Sequence, residues 1–311
     1  MRPRACSRPP SRRGRRTRWC AGRARASTRA AWYRFTIRTP LGHIATAAVA
    51  LGLLLPVAAG ADTGILAIGD FGVGGATERQ MGAAMEQLAS GSQTDALVTL
   101  GDNDYTESPS AFRRNWLDSF GWAAEDGLVV AGTLGNHDVR VQGGRYQHEL
   151  LGIRGDFYRR AVGDVALFLI NSNRSVAAQR RWLDQALASS AAPWKIVAFH
   201  HPPFSCGEYG GVAEMRRQLA PLFEQQGVKL VLSGHDHNYQ RFGPRNGVTY
   251  VVHGGGGAGL YPLRSCPSGF PKRRAARAVR GWLHILASPT QLRVRAIGPM
   301  GRVLDEAFIY P

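Results

Sequence analysis

From Gly64 onward, short apolar runs alternate with segments whose apolar residues recur every three to four positions. A continuous apolar run of this length predicts a buried strand, and the longer period predicts a helix with one buried face. "GILAIGD" reads as a strand and "ATERQMGAAMEQLA" as a helix, with Thr77 and Gln80 spaced as a capping box. "ALVTLGD" and "LVVAGTLGNHD" are strands on either side of the helix "SAFRRNWLDSF". "DFYRRAVGDVALFLINSN" holds two strand-like runs joined at Gly163 and Asp164, a hairpin signal. The helix "AAQRRWLDQALA", the strand "WKIVAFHH", the helix "VAEMRRQLAPLFEQQG" closing on Gly227 and the strand "VKLVLSGHDH" follow. Beyond them "NGVTYVVHGGGG", "GWLHILAS", "QLRVRAIG" and "VLDEAFIY" are strands with no helix between them. The pattern predicts an α/β region completed by antiparallel strands, and one domain over residues 62–311.

Residues 1–61 have another character. The chain carries a formal net charge of +17, which suggests a polyanionic partner, but 13 arginines and no acidic residue fall within the first 43 positions. Of 39 basic residues these 13 leave 26, against 22 acidic ones, so the remainder is close to balanced. Next comes an apolar core from Ile44 to Leu55, followed by Ala59, Gly60 and Ala61. A basic region, a short apolar region and an A-x-A site in that order form a secretory signal, which predicts cleavage after Ala61 and a mature chain starting at Asp62. The alternative is an uncleaved anchor through residues 41–61. Pro56 and a core shorter than the roughly 20 residues of a spanning helix argue against it. A misassigned start codon equally explains the length of the basic region. The mature domain is expected to be exported, to bind no nucleic acid and to insert in no membrane.

Cys6 and Cys20 leave with this leader, and Cys206 and Cys266 remain. In an exported protein they either form a disulfide between two loops or stay as packed thiols; two cysteines do not decide it.

Four strands end alike, in glycine followed by a polar residue: "GD" at 69–70, "GD" at 101–102, "GNHD" at 135–138 and "GHDH" at 234–237. The strand "KIVAFHH" ends in two histidines. Asp70, Asp102, Asn136, His200 and His235 are separated by 32, 34, 64 and 35 residues, the lengths of one, one, two and one strand-helix-strand units. Successive parallel strands are therefore expected to bring all five to one edge of a sheet, where open α/β folds bind ligands. "GDFG" also occurs in kinases, but no glycine-rich loop, strand lysine or "HRD" accompanies it. Oxygen and imidazole donors converging in this way point to metal.

If Asp102 bridges two ions, one can take Asp70, Tyr105 and His237, and the other Asn136, His200 and His235. The first set is rich in anionic oxygen and suits a trivalent ion; the second is mostly neutral and suits a divalent one. Tyr105 alone would read as an aromatic packed near a loop. Among carboxylates it points to iron(III), because a phenol of pKa near 10 needs a strong Lewis acid to hold it as phenolate. Two ions about 3.5 to 4 Å apart clamp a phosphoryl group and activate water. His137 is placed either to donate to that group and protonate the leaving oxygen, or only to support its neighbours.

"GDFG", "GDNDY", "GNHD", "VAFH" and "GHDH" resemble, in order and spacing, the five motifs of purple acid phosphatases within the calcineurin-like metallophosphoesterases. The resemblance runs from about Gly64 to Ile309 and is nearest to the small single-domain mammalian-type form. It implies a four-layer αββα sandwich of two mixed sheets and hydrolysis of phosphomonoesters by a metal-bound hydroxide. Its cofactors are iron(III) plus a divalent metal: iron(II), zinc or manganese. It places Asp70, Asp102, Tyr105 and His237 on iron(III), and Asp102, Asn136, His200 and His235 on the divalent ion. His200, rather than His201, matches the motif histidine. Where the family usually carries a second substrate-side histidine, this chain has Glu208 and Tyr209. Tyr209 either donates to phosphate or packs in its loop. His201, His253 and the glycines 254–257 are candidates to line the mouth, with flexible filler as the other reading of the glycines.

The function expected from the sequence is thus that of an exported dinuclear phosphomonoesterase acting on a small phosphomonoester. A phosphodiesterase or nucleotidase of the same superfamily is one alternative. An inactive α/β domain with a basic tail for nucleic acid or membrane surfaces is another. Composition does not set the oligomeric state.

Overall fold

The computed structural model describes residues 62–311; the leader and its cleavage site lie outside the described residues. Two mixed sheets carry the domain. The first is built from β1 (Thr63–Ile68), β2 (Ala96–Leu100) and β3 (Val129–Thr133), extended by β11 (Trp282–Ala287), β12 (Leu292–Ile297) and β13 (Val303–Ile309). Its order is β13-β12-β11-β1-β2-β3, parallel from β1 to β3 and antiparallel beyond β1. The second sheet contains β4 (Phe157–Val162), β5 (Val165–Ile170), β6 (Trp194–Ala198), β7 (Leu230–Ser233), β8 (Tyr239–Arg245), β9 (Val248–His253) and β10 (Arg273–Arg277). Its order is β10-β8-β9-β7-β6-β5-β4, with β5, β6, β7 and β9 parallel.

The two faces of β5 show why the layers stack. Leu167 and Leu169 join β1, β6 and β7 residues in the core between the sheets, whereas Ala166, Phe168 and Ile170 pack toward α3 (Val176–Ala188) and α4 (Ala213–Gln225). A strand buried on both faces needs apolar residues at every position, and "VALFLI" supplies them. α1 (Gly75–Ser90) and α2 (Pro109–Glu125) contribute Met81, Met85, Phe112, Trp116 and Phe120 to the core that includes the first sheet. The helices therefore flank two central sheets.

Three sequence expectations change. The five ligand positions do not share one sheet edge: β1 to β3 belong to one sheet, and β6 and β7 to the other. Spacing reports strand-helix-strand units but not which sheet a strand joins. The capping box is also absent. α1 starts at Gly75, Thr77 lies inside it, and no side chain caps from the N-cap position. Gly74 and Gly75 turn the chain with φ of 71° and 73°, and the Gly74 N–H donates to Glu78 Oε2 at 2.7 Å. Finally, β8 and β10 were hidden by arginine-rich sequences without clean alternation.

Candidate metal centre

The carboxyl ends of β1, β2, β6 and β7 meet where the two sheets adjoin. Asp70, Asp102 and His235 follow β1, β2 and β7 with left-handed backbones, φ being 58°, 51° and 74°. That conformation is costly for residues with a Cβ and is found where surrounding structure dictates it, commonly at functional sites. Asp70 and Asp102 each use both carboxylate oxygens. Asp70 Oδ2 accepts the N–H of His235 at 2.9 Å, and Asp102 Oδ1 accepts the N–H of His137 at 2.9 Å. Each carboxylate thereby fixes a loop from another strand and keeps its second oxygen toward the centre.

Those second oxygens converge on Tyr105. Its hydroxyl lies 3.2 Å from Asp102 Oδ2, 3.4 Å from Asp70 Oδ1 and 3.1 Å from His237 Nε2. Asp70, Asp102 and His237 bring ligand atoms within 4.8 Å of one another, as do His200, His201 and His235. Asn136 Oδ1 stands 3.3 Å from His200 Nε2, and that nitrogen is 3.5 Å from Asp102 Oδ2. The structure therefore gathers all seven expected ligands into two adjoining clusters with Asp102 at their junction. It also adds His201, which sequence reasoning set at the mouth.

Hydrogen bonds orient the imidazoles. His200 Nδ1 is 2.9 Å from the Leu100 carbonyl and His237 Nδ1 is 2.6 Å from the Gly259 carbonyl. A carbonyl only accepts, so both Nδ1 atoms carry hydrogen. When the rings are neutral this turns the Nε2 lone pairs inward, the arrangement usual for metal-binding histidines. Burial and the neighbouring His200 push His201 down to about 3 and His235 down to about 2, so both are neutral imidazoles at working pH. For His200 burial opposes the charged form, but the charges of Asp102 and Asp70 outweigh it and raise the group to about 10. Burial likewise works against Asp102, yet the charge and hydrogen bond of His200 and the N–H of His137 hold it below the usual carboxylate range. Asp70 is raised chiefly by burial, and Tyr105 is raised strongly by burial and by the charges of Asp70 and Asp102. Such groups take their anionic forms only beside a concentrated positive charge. Two buried carboxylates, a phenol, an amide and inward-turned imidazoles are donors that fit a pair of cations.

Two aspartates that sequence reasoning passed over hold the loops. Asp138 is fully buried and accepts from the N–H groups of Asn103, Asp104 and Gly135 and from the side chains of Asn103 and Gln147, all at 2.7 to 3.0 Å. It ties the Asp102 loop to the Asn136 loop. In the other sheet Asp236 accepts from the Tyr209 N–H at 3.0 Å and from the Ser205 hydroxyl, tying the 205–209 loop to His235 and His237. Both aspartates stand inside quoted motifs, "GNHD" and "GHDH", so the signal was there.

At the mouth, His137 is half-buried with its ring 4.4 Å from that of Tyr105, and burial lowers its pKa. The His201 side chain is held by Ser172 Oγ, 2.8 Å from Nδ1. Tyr209 stacks on His235, with centroids 4.6 Å apart and planes at 25°. Tyr261, which no sequence pattern marked, stacks on His237 at 4.0 Å and 11°. Glu208 is engaged by Arg264 at 2.5 Å, and Cys206 and Cys266 are joined as a disulfide with Cα atoms 5.0 Å apart.

Two mouth candidates are placed differently. His253 is fully buried, neither ring nitrogen has a partner, and burial lowers it to about 4, so it is a core residue of β9. The glycines 254–257 are packed: Gly256 N–H donates to Gly69 O at 2.9 Å, and a Cβ at Gly254 or Gly256 would overlap the carbonyl of Asp236 or Gly69. Close approach to the Asp70 loop, rather than flexibility, requires them.

Known proteins resemble this chain in sequence and fold. A family model described as calcineurin-like phosphoesterase matches residues 63–239. Tartrate-resistant acid phosphatase type 5 of Mus musculus is 28% identical over 287 residues, covering 77% of this chain and 88% of its own. The Rattus norvegicus protein of the same name is 30% identical, covering 61% and 71% respectively. Among solved structures, a purple acid phosphatase from yellow lupin seeds superposes with a TM-score of 0.66 at 18% identity, over 81% of this chain and 54% of that one. The anchor protein of the Plasmodium inner membrane complex gives 0.67 at 17% identity, over 80% and 89%. At such identities the two structures speak for the fold alone. The family match spans more than half of the chain, and the protein belongs to the calcineurin-like phosphoesterases, where its relatives include tartrate-resistant and purple acid phosphatases.

Proposed function

We propose that this chain is an exported purple acid phosphatase that hydrolyses small phosphomonoesters at a centre of two cations. Asp70, Tyr105 and His237 would hold iron(III), Asn136, His200 and His235 a divalent ion, and Asp102 would bridge them. The observation that carries the reading is the Tyr105 hydroxyl, within 3.4 Å of Asp70, Asp102 and His237. A phenol among two carboxylates is a hard, anionic donor set that favours a trivalent ion. When bound, the cations supply Lewis acidity toward the phosphoryl group and activate a water.

The chain's own residues do the rest. The N–H groups of His137 and His235 fix the two central carboxylates, so the donor geometry is set before substrate arrives. His137, half-buried beside Tyr105, would donate an N–H to the phosphoryl group and, because burial lowers its pKa, would deliver a proton to the leaving oxygen only in acid, where the ring is protonated. His201, with Nδ1 occupied by Ser172, keeps Nε2 for a phosphoryl oxygen.

Purified residues 62–311, reconstituted with iron and zinc, should release phosphate from p-nitrophenyl phosphate. A preparation that binds metal but cleaves only bis-p-nitrophenyl phosphate would move the assignment to phosphodiesters. Export is read from residues 1–61; among the described residues no helix is long and apolar enough to cross a membrane. N-terminal sequencing of the protein from its native cells should begin at Asp62, and an intact Met1 would contradict it.

A further inference from the structure

Tyr209 and Tyr261 approach the centre from different loops, and each covers one histidine of the "GHDH" motif. Their rings stand edge to face with centroids 5.4 Å apart, and their hydroxyls lie 3.4 Å from each other. Tyr209 is 60% exposed although it stacks on His235 and meets Tyr261, so much of its ring remains open. Exposed tyrosines usually swing freely, but these two loops are pinned several times over. The Cys206–Cys266 disulfide and the Arg264–Glu208 ion pair join them, and the Arg264 N–H donates to the Cys206 carbonyl at 2.7 Å. The Tyr209 N–H is fixed by Asp236 and the Tyr261 N–H by the His237 carbonyl, both at 3.0 Å.

The buried carboxylates of Asp70 and Asp102 form the floor, so the leaving group of a phosphomonoester seated above them points outward. On the side of His235 and His237 it meets these two rings. Two fixed aromatic surfaces reward a flat, apolar leaving group by edge and face contacts, and offer little to a methyl or hydroxyalkyl group. Given the phosphomonoesterase reading above, on which this rests, we propose that Tyr209 and Tyr261 form the leaving-group wall of the site and select aryl over small alkyl phosphomonoesters.

The test compares wild-type holoenzyme with Tyr209→Ala, Tyr261→Ala and Tyr209→Phe, using phenylphosphonate and methylphosphonate as non-hydrolysable probes in calorimetry. Metal content is measured on every sample. Wild type should bind phenylphosphonate more tightly than methylphosphonate, and each alanine variant should lower that ratio by about three- to tenfold, the effect of losing one aromatic contact. Tyr209→Phe should keep the ratio, because the ring rather than the hydroxyl makes the contact. The ratio of kcat/KM for phenyl phosphate over methyl phosphate should move in parallel. If the alanine variants weaken both probes equally, the rings only support the histidines and the proposal is overturned. An unchanged ratio overturns it as well. If wild type binds methylphosphonate but prefers no aryl group, this inference alone fails. If it binds neither probe and cleaves neither ester, the phosphomonoesterase reading fails first and takes this one with it.

Discussion

The phenolic oxygen of Tyr105 stands 3.1 Å from Nε2 of His237, although the two residues are 132 positions apart and follow strands of different sheets. Nothing in the fold's core requires that contact. It exists because the ends of β2 and β7 adjoin, and because both loops are tied to the loop after β1: Asp70 accepts the N–H of His235, and the Tyr105 N–H donates to the Gly72 carbonyl at 2.8 Å.

His137 is assigned a proton-donating role, so His137→Ala should lower kcat for phosphomonoesters by about 10²- to 10⁴-fold, the usual worth of general acid catalysis. Metal content should stay near wild type, since the His137 backbone N–H that fixes Asp102 remains. The loss should shrink for substrates with acidic leaving groups, which need no proton. A variant equally slow on good and poor leaving groups would show that the ring only supports Tyr105.

Asp138 accepts five N–H groups in a fully buried setting. Asp138→Ala leaves those donors unpaired, and each buried unsatisfied donor costs about 1 to 3 kcal/mol. The variant should melt well below wild type, and metal titration should show weakened binding, because the Asp102 and Asn136 loops lose their tie. Unchanged melting and metal affinity would contradict the role.

Glu78 carries the clearest pH signature outside the centre. Burial raises its carboxyl to about 7, against the Gly74 N–H bond and with the charges of Asp104 and Asp118 adding to the rise and that of Arg79 opposing it. The folded state thus holds a proton that the unfolded chain releases near pH 4.5, so this group's effect on stability is most favourable below that value. Stability should fall as pH rises from there to about 7, by up to about 3 kcal/mol, and level off above. Glu78→Gln should remove that slope and melt higher than wild type at pH 8. Parallel pH profiles for the two proteins would rule the effect out.

Much of this was legible in the sequence because ligand residues sit at strand ends, where a glycine and a sudden polar residue stand out against apolar runs. Asp70, Asp102, Asn136, His200 and His235 could be read that way; in the structure Asp70, Asp102 and His237 form one close group and His200, His201 and His235 another, and the presence of His201 differs from the expectation that set it at the mouth. What stayed hidden depends on contacts between distant segments. Tyr261 has no periodic neighbours to mark it, and only the path of the 259–266 loop brings it onto His237. His253 reads as a mouth residue because it precedes a glycine run, but it ends β9, a strand buried at every position on both faces. The division into two sheets was equally beyond spacing, since a strand-helix-strand unit has the same length whichever sheet it joins.

Tyr105 is proposed to select iron(III) for one of two cation positions. The most direct measurement is metal analysis with a visible absorption spectrum of the purified wild type and of Tyr105→Phe. The wild type should contain iron and be purple or pink, with a phenolate-to-iron(III) band that is lost in the variant. An active wild type that is colourless and free of iron would contradict it.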